Sequence, residues 1–212
     1  MEHLVSPHYD HSKLESPSLT DLIDVFEDSW RGYVFGPAEM LLKNAGGDAA
    51  AMTLETSYFE AIAIYMTGEN SEGKSKQFFV NGFSRCFNAS TEGIETAAKE
   101  IYKHIRCGLA HTGMLTHRVN FSREGAHAFY VTYPKDPDGS LNLRAPAASI
   151  VVNPQRMHEG IMRHFEQYIN DLRCGRSSDL TDAFQKAISL LWGLGESENI
   201  IGMTEDKFKG RA

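Results

Sequence analysis

The sequence predicts a mainly α fold, a helical bundle carrying a small antiparallel β insertion. Two observations lead there. Apolar residues recur at spacings of three and four through most of the chain, the period of a helix with one buried face. One stretch after His111 breaks that period and is rich instead in Val, Phe, Tyr and Ile. A third observation, the length of 212 residues, suits one domain with an insertion.

Residues 1–18 hold three histidines, two prolines and several serines in little apolar company, and read as a flexible arm. Helix is expected from Ser18-Leu19-Thr20-Asp21 onward, with Leu19, Leu22, Ile23, Phe26 and Trp30 at helical spacing. Gly36-Pro37 is expected to interrupt it, Ala38 to Lys43 to resume it, and Gly46-Gly47 to end it. Residues 48–67 read as one long helix through Met52, Tyr58, Phe59, Ile62 and Met66, followed by a polar loop from Gly68 to Gly73. Phe78, Phe79, Phe83 and Phe87 suit a further helix of about three turns. Ser90-Thr91-Glu92 offers a cap for the next, in which Ile94, Ala97, Ala98, Ile101 and Ile105 repeat at three and four.

Strands are expected at Val119-Asn120-Phe121, within Ala126 to Tyr133 and at Ser149 to Val152, with turn chemistry in Pro134-Lys135-Asp136-Pro137-Asp138-Gly139. This insertion, about 117–152, is too short for an independent core and must lie against helices. Helical pattern then returns in two stripes. Met157, Ile161, Phe165, Tyr168, Ile169 and Leu172 form one, and Leu180, Phe184, Ile188 and Leu191 the other. The domain organisation is therefore an arm over 1–18, one helical domain over 19–195 and a polar tail over 196–212.

Lys and Arg number 21 against 28 Asp and Glu, a net charge of −7. That argues against a histone-like nucleic-acid binder while leaving room for a small basic site on an acidic body. Cys86, Cys107 and Cys174 are odd in number, widely spaced and without a C-x-x-C pair, so they read as reduced thiols of a cytoplasmic protein. The first 17 residues lack the apolar core of a signal peptide, and no apolar run approaches the ~18 residues of a membrane span.

Gly68-Glu69-Asn70-Ser71-Glu72-Gly73-Lys74-Ser75 satisfies the phosphate-loop pattern G-x-x-x-x-G-K-[ST]. A working phosphate loop follows a buried strand, whereas here the helical pattern from Ala49 runs into it, and two glutamates lie inside it. It reads as a polar interhelix loop, and no nucleotide site or cofactor is expected. His104, His111 and His117, and His158 and His164 on one helix, stand six and seven apart and do not reproduce metal-ligand spacing. No metal site is expected, and no G-x-S-x-G elbow marks a nucleophilic serine.

The segment that carries candidate chemistry is Ile101 to Gly113, with Arg106 and His111 five positions apart across Gly108. A glycine there permits a sharp change of direction that would aim both side chains at one point. Arginine is a planar, permanently charged phosphate ligand, and histidine exchanges a proton near neutral pH. Together they offer charge stabilisation and acid/base chemistry for phosphodiester cleavage without metal. The other reading leaves both residues structural, Arg106 paired with a bundle glutamate and His111 satisfying a helix end.

The run Arg106-Cys107-Gly108-Leu109-Ala110-His111 resembles the HEPN superfamily, helical bundles marked by Arg, four to six residues, then His near a helix boundary. The resemblance covers about residues 19–115, including the aromatic Phe78-Phe79 and Phe83 ahead of Ile101-Tyr102. It implies a metal-independent endoribonuclease of a toxin or defence system, a homodimer in which the Arg and His of two subunits meet, and RNA or an antitoxin-like protein as partner. Carried over, Arg106 stabilises the phosphorane and His111 transfers protons or orients the 2′-hydroxyl, with Glu60 a candidate acidic partner of Arg106. Cys107 departs from the Asn, Asp or His that often follows the arginine in active members. The alternative is a non-catalytic helical module that binds a partner protein or a nucleotide.

Overall fold

The computed structural model describes residues 4–44, 46–91, 93–115, 118–193 and 210. Its helices are α1 (Leu19–Trp30), α2 (Gly36–Leu42), α3 (Asp48–Glu55), α4 (Ser57–Thr67), α5 (Ser75–Cys86), α6 (Ile94–Ile101), α7 (Gly108–Thr112), α8 (Pro154–Arg173) and α9 (Ser178–Trp192). The strands are β1 (Val119–Phe121), β2 (Phe129–Thr132) and β3 (Ser149–Val152). The fold is thus mainly helical with a small sheet. Of the expected tail over 196–212 only residue 210 is described, and 194 and 195 at the end of the expected domain also lie outside the described residues.

α1 starts as its sequence demands. The Ser18 hydroxyl accepts from the Asp21 N–H while the Asp21 carboxylate accepts from the Ser18 N–H, a reciprocal cap. Leu22, Ile23, Val25 and Phe26 form its buried face. The interruption expected at Gly36-Pro37 does not occur. Arg31–Phe35 is a π turn, and the Gly36 N–H donates to the Arg31 carbonyl, so helix continues into α2, the wider turn absorbing Pro37 and its missing N–H. The arm read over 1–18 lies, over its described part, along α1. The Ser6 hydroxyl donates to Asp28 Oδ2 at 2.5 Å, the His8 N–H donates to the same oxygen at 2.9 Å, and Lys13 pairs with Asp21 and Asp24.

The helix expected over 48–67 is two helices, and Thr56 explains the break. Its hydroxyl donates to the Met52 carbonyl at 2.7 Å, and the Ser57 hydroxyl donates to Leu54 at 2.6 Å. Such back-bonding competes with the helical ladder and bends it. The cap expected at Ser90-Thr91-Glu92 is instead Gly93, which takes φ 78° at the head of α6, a conformation that suits glycine.

One core unites the elements. Phe26, Phe35, Tyr58, Phe165 and Phe184 form its centre between α1, α4, α8 and α9. Phe59, Phe79 and Phe83 extend it between α4 and α5, and Phe83 meets Phe129 of β2 at 5.1 Å. The six positions expected on the α8 stripe are all buried. On α9, Phe184 and Ile188 are buried but Leu191 is 46% exposed.

α4 and α5 cross closely because residue 82 has no side chain. A Cβ on Gly82 would stand 1.8 Å from the Phe59 carbonyl oxygen, which is backbone and cannot rotate away. Gly82→Ala gains about 1 kcal/mol of helix propensity but forces the helices apart, a cost of about 1–3 kcal/mol or more. A urea titration should show net destabilisation. An unchanged midpoint would mean the two helices are not held at this distance.

The sheet has the order β1-β3-β2, with β1 parallel and β2 antiparallel to β3. The antiparallel sheet expected from sequence is therefore a mixed one. β3 carries the most deeply buried pair, Ile150 and Val152, and takes the centre, where both its edges are hydrogen-bonded. The insertion is bound to the bundle. Val119, Ile150 and Val152 belong to the helical core, and Arg123 holds Asp48 of α3 through two guanidinium nitrogens, the shorter contact 2.6 Å.

Candidate active site

The region Tyr102–Cys107 follows α6 as a second π turn and leads into α7. Its sequence explains why. Ile101, Ile105 and Leu109 are buried and spaced by four. An α-helix turns about 100° per residue, so a row spaced by four slips about 40° per step. A π turn is wider and takes up that slip, which keeps the row on the core. Such turns recur at functional sites.

Gly108 was expected to redirect the chain between Arg106 and His111, and it does not. It is helical, with φ −57° and ψ −57°, and the helix runs on to Thr112. The reversal comes at Gly113, with φ 67°. Gly108 provides room instead, since a Cβ there would meet the Met114 carbonyl of the returning chain at 3.4 Å.

Arg106 is half-buried beside Ile105, and His111 is exposed on the last turn of α7. Arg106 forms no ion pair among the described residues, and its enclosed Nε has no hydrogen-bond partner. A buried donor left open costs about 1–3 kcal/mol, more on a charged group, and no described residue offers this Nε an acceptor.

Glu60, on α4, is not joined to Arg106 by an ion pair. It accepts the Ser71 hydroxyl at 2.7 Å. Both groups nevertheless act on Tyr102. Burial raises the Tyr102 hydroxyl above its ordinary pKa, Cys107 and Glu60 add to the rise, and Arg106 opposes it. The Tyr102 ring packs on Phe79 at 5.2 Å. Glu60 thus holds Ser71 of the 68–75 loop while its charge acts on Tyr102.

That loop follows α4, a helix and not a strand. Several of its backbone donors are already in use. The Glu72 N–H donates to Asn70 Oδ1 at 2.9 Å, and the Lys74 N–H donates to the Ser71 carbonyl at 2.7 Å. A phosphate cradle needs such donors free and converging. No family model, curated protein or solved structure matches the chain. The local geometry therefore carries the functional argument alone.

The remaining histidines are placed by packing. His104 is buried with Nε2 3.2 Å from Glu100, and burial lowers its pKa against the pull of that carboxylate. His164 Nδ1 stands 2.9 Å from the Tyr58 hydroxyl, and burial pushes its pKa down to about 4. His158 binds Glu55, a carboxylate with no exposed surface. His117 lies outside the described residues. Among the described residues no group of three His, Cys, Asp or Glu side chains is arranged to hold a metal ion, and no helix is long and apolar enough to cross a membrane.

Sequence reasoning missed the Glu55–His158 pair. A signal was present in each partner, since Glu55 falls on the period of Met52, Phe59 and Ile62, and His158 stands beside Met157 on the α8 stripe. An ionisable residue on a buried period needs a partner.

Proposed function

We propose that this chain is a cytoplasmic, metal-independent endoribonuclease of HEPN type, of a toxin or defence kind, in which Arg106 and His111 carry the chemistry. The observation that supports this reading is the state of Arg106, half-buried with an enclosed Nε that no described residue satisfies, followed five residues later by an exposed histidine. A structural arginine in a bundle is usually paired; this one forms no ion pair among the described residues. In the proposed reaction the 2′-hydroxyl attacks the adjacent phosphorus and the 5′-oxygen leaves. Arg106 stabilises the charge that collects on the phosphorane oxygens, and His111 moves the proton. The products are a 2′,3′-cyclic phosphate and a 5′-hydroxyl. The active form is a homodimer in which two such segments face each other.

The test is incubation of the full chain with single-stranded RNA in excess EDTA, with end-group analysis and light scattering on the same sample. Cleavage that survives EDTA, leaves cyclic phosphate and comes from a species of twice the chain mass supports the proposal. Loss of cleavage in EDTA, or 3′-hydroxyl ends, removes it.

A further inference from the structure

A groove of about 770 Å³ lies between α5 and α6. Its walls carry Lys74 and Lys76 from the start of α5 and Lys99 from α6, against one carboxylate, Glu95, already paired with Lys99. Lys74 and Lys76 are exposed and form no ion pair among the described residues. On a chain of net charge −7 this is a local concentration of positive charge. α5 begins with neither a side-chain cap nor a carboxylate in its first turn, so nothing there neutralises its positive end, whereas α6 has Glu95 in its first turn. Val80 and Ile94 give the floor apolar surface on which a base can lie.

The groove includes Lys99, three residues before the π turn that carries Arg106 and leads to His111. α5 and α6 pack against each other as neighbours joined by the short connection 87–93. The N-terminal half of α5 therefore faces the end of α6 and the π turn after it, where Tyr102 packs on Phe79. Beyond Lys99 the helix is underwound, and residues spaced by four stay in line, as Ile101, Ile105 and Leu109 do. Lys99, the exposed Lys103 and His111 fall on one such row, about 18 Å from first to last. Arg106 flanks it.

We infer that single-stranded RNA lies in the groove between α5 and α6, its phosphates on Lys74, Lys76 and Lys99, and follows the Lys99–Lys103 row to His111. The inference rests on the ribonuclease reading for its end point, but its binding surface is separate from Arg106 and His111. Phosphate contacts with single strands make log K fall with log salt at a slope of about −0.7 per contact.

The experiment is anisotropy of a labelled 2′-O-methyl oligouridine, which cannot be cleaved, titrated with the full chain from about 50 to about 200 mM salt. The Lys74→Gln/Lys76→Gln variant should reduce the slope by about 1.4. Wild-type affinity would then fall roughly sevenfold more than the variant's over that range. Both proteins should melt together, and ATP with magnesium should not compete. Equal slopes in the two proteins overturn the inference, as does displacement of the oligouridine by polyglutamate at equal charge or by ATP. Lysine-dependent binding without any cleavage of ordinary RNA would leave the groove standing and remove the ribonuclease. Arg106-dependent cleavage with equal slopes would do the reverse.

Discussion

On the proposed mechanism, His111→Ala should abolish RNA cleavage, with a fall of about 10²–10⁴-fold, while the melting temperature stays within the scatter of a surface substitution. The exposure of His111 separates these two readouts, because an exposed side chain adds little to the stability of the fold. Arg106→Lys should fail as well, since an ammonium cannot reproduce the planar fork of donors that meets two phosphorane oxygens. Arg106→Met adds a sharper test. It removes an enclosed donor that has no partner, so stability holds or rises while activity is lost. A site that is strained for function behaves this way, and a structural arginine does not. Cleavage that survives His111→Ala and Arg106→Lys removes the mechanism. A large fall in melting temperature for Arg106→Met supports the non-catalytic module instead.

The second large effect concerns stability. His158→Leu leaves Glu55 buried without its counter-ion, and breaking such a pair costs about 3–5 kcal/mol. The Glu55→Leu/His158→Leu double variant removes both charges and should recover most of that loss. A double variant as unstable as the single would show that shape and not charge sets the cost. The pair also fixes a direction with pH. The hydrogen bond to Glu55 raises the pKa of His158, and burial raises that of Glu55. Both shifts mean that the native state holds protons more tightly than the unfolded chain. The His158 contribution is therefore complete below the ordinary histidine pKa of about 6.5 and is lost as pH rises through its folded value. His164 acts in the opposite sense. Its pKa is lowered by burial to about 4, so its contribution is lost as pH falls from about 6.5 toward that value. Denaturant midpoints across pH should fall on both sides. The alkaline limb should flatten in the double variant, and the acid limb in His164→Phe.

The helical core was legible because burial imposes a period. Met157, Ile161, Phe165 and Leu172 on α8, and Ile94, Ala97, Ala98, Ile101 and Ile105 on α6 and its π turn, were all placed by spacing alone. Breaks within helices were not, because they hang on one side chain or one missing N–H. Thr56 splits α3 from α4 through a hydroxyl bond, and Pro37 passes because a π turn absorbs it. Strand direction was hidden for another reason. Alternation tells which residues face the core but not which neighbour a strand chooses, and β3 takes both edges. At the candidate site the residues Arg106, His111 and Glu60 were readable as types. That Glu60 holds Ser71, and that Arg106 Nε has no partner, depends on contacts between segments far apart in sequence. The Glu55–His158 pair, separated by 103 positions, is a further case.

The central place of β3 sets a timetable for synthesis. β1 leaves the ribosome about thirty residues ahead of the strand it pairs with, since Val119 is matched to Ile150. β2 is no help to it, because the two never hydrogen-bond to each other. At about 5–20 residues per second, both strands wait on the order of seconds with open edges. The packed hairpin of α4 and α5, whose contacts are local, has ample time to form meanwhile. β3 then runs directly into Asn153, whose side chain caps α8, so the arrival of one short strand completes the sheet and launches the longest helix together. The nascent chain is closed late, by a clasp four residues long.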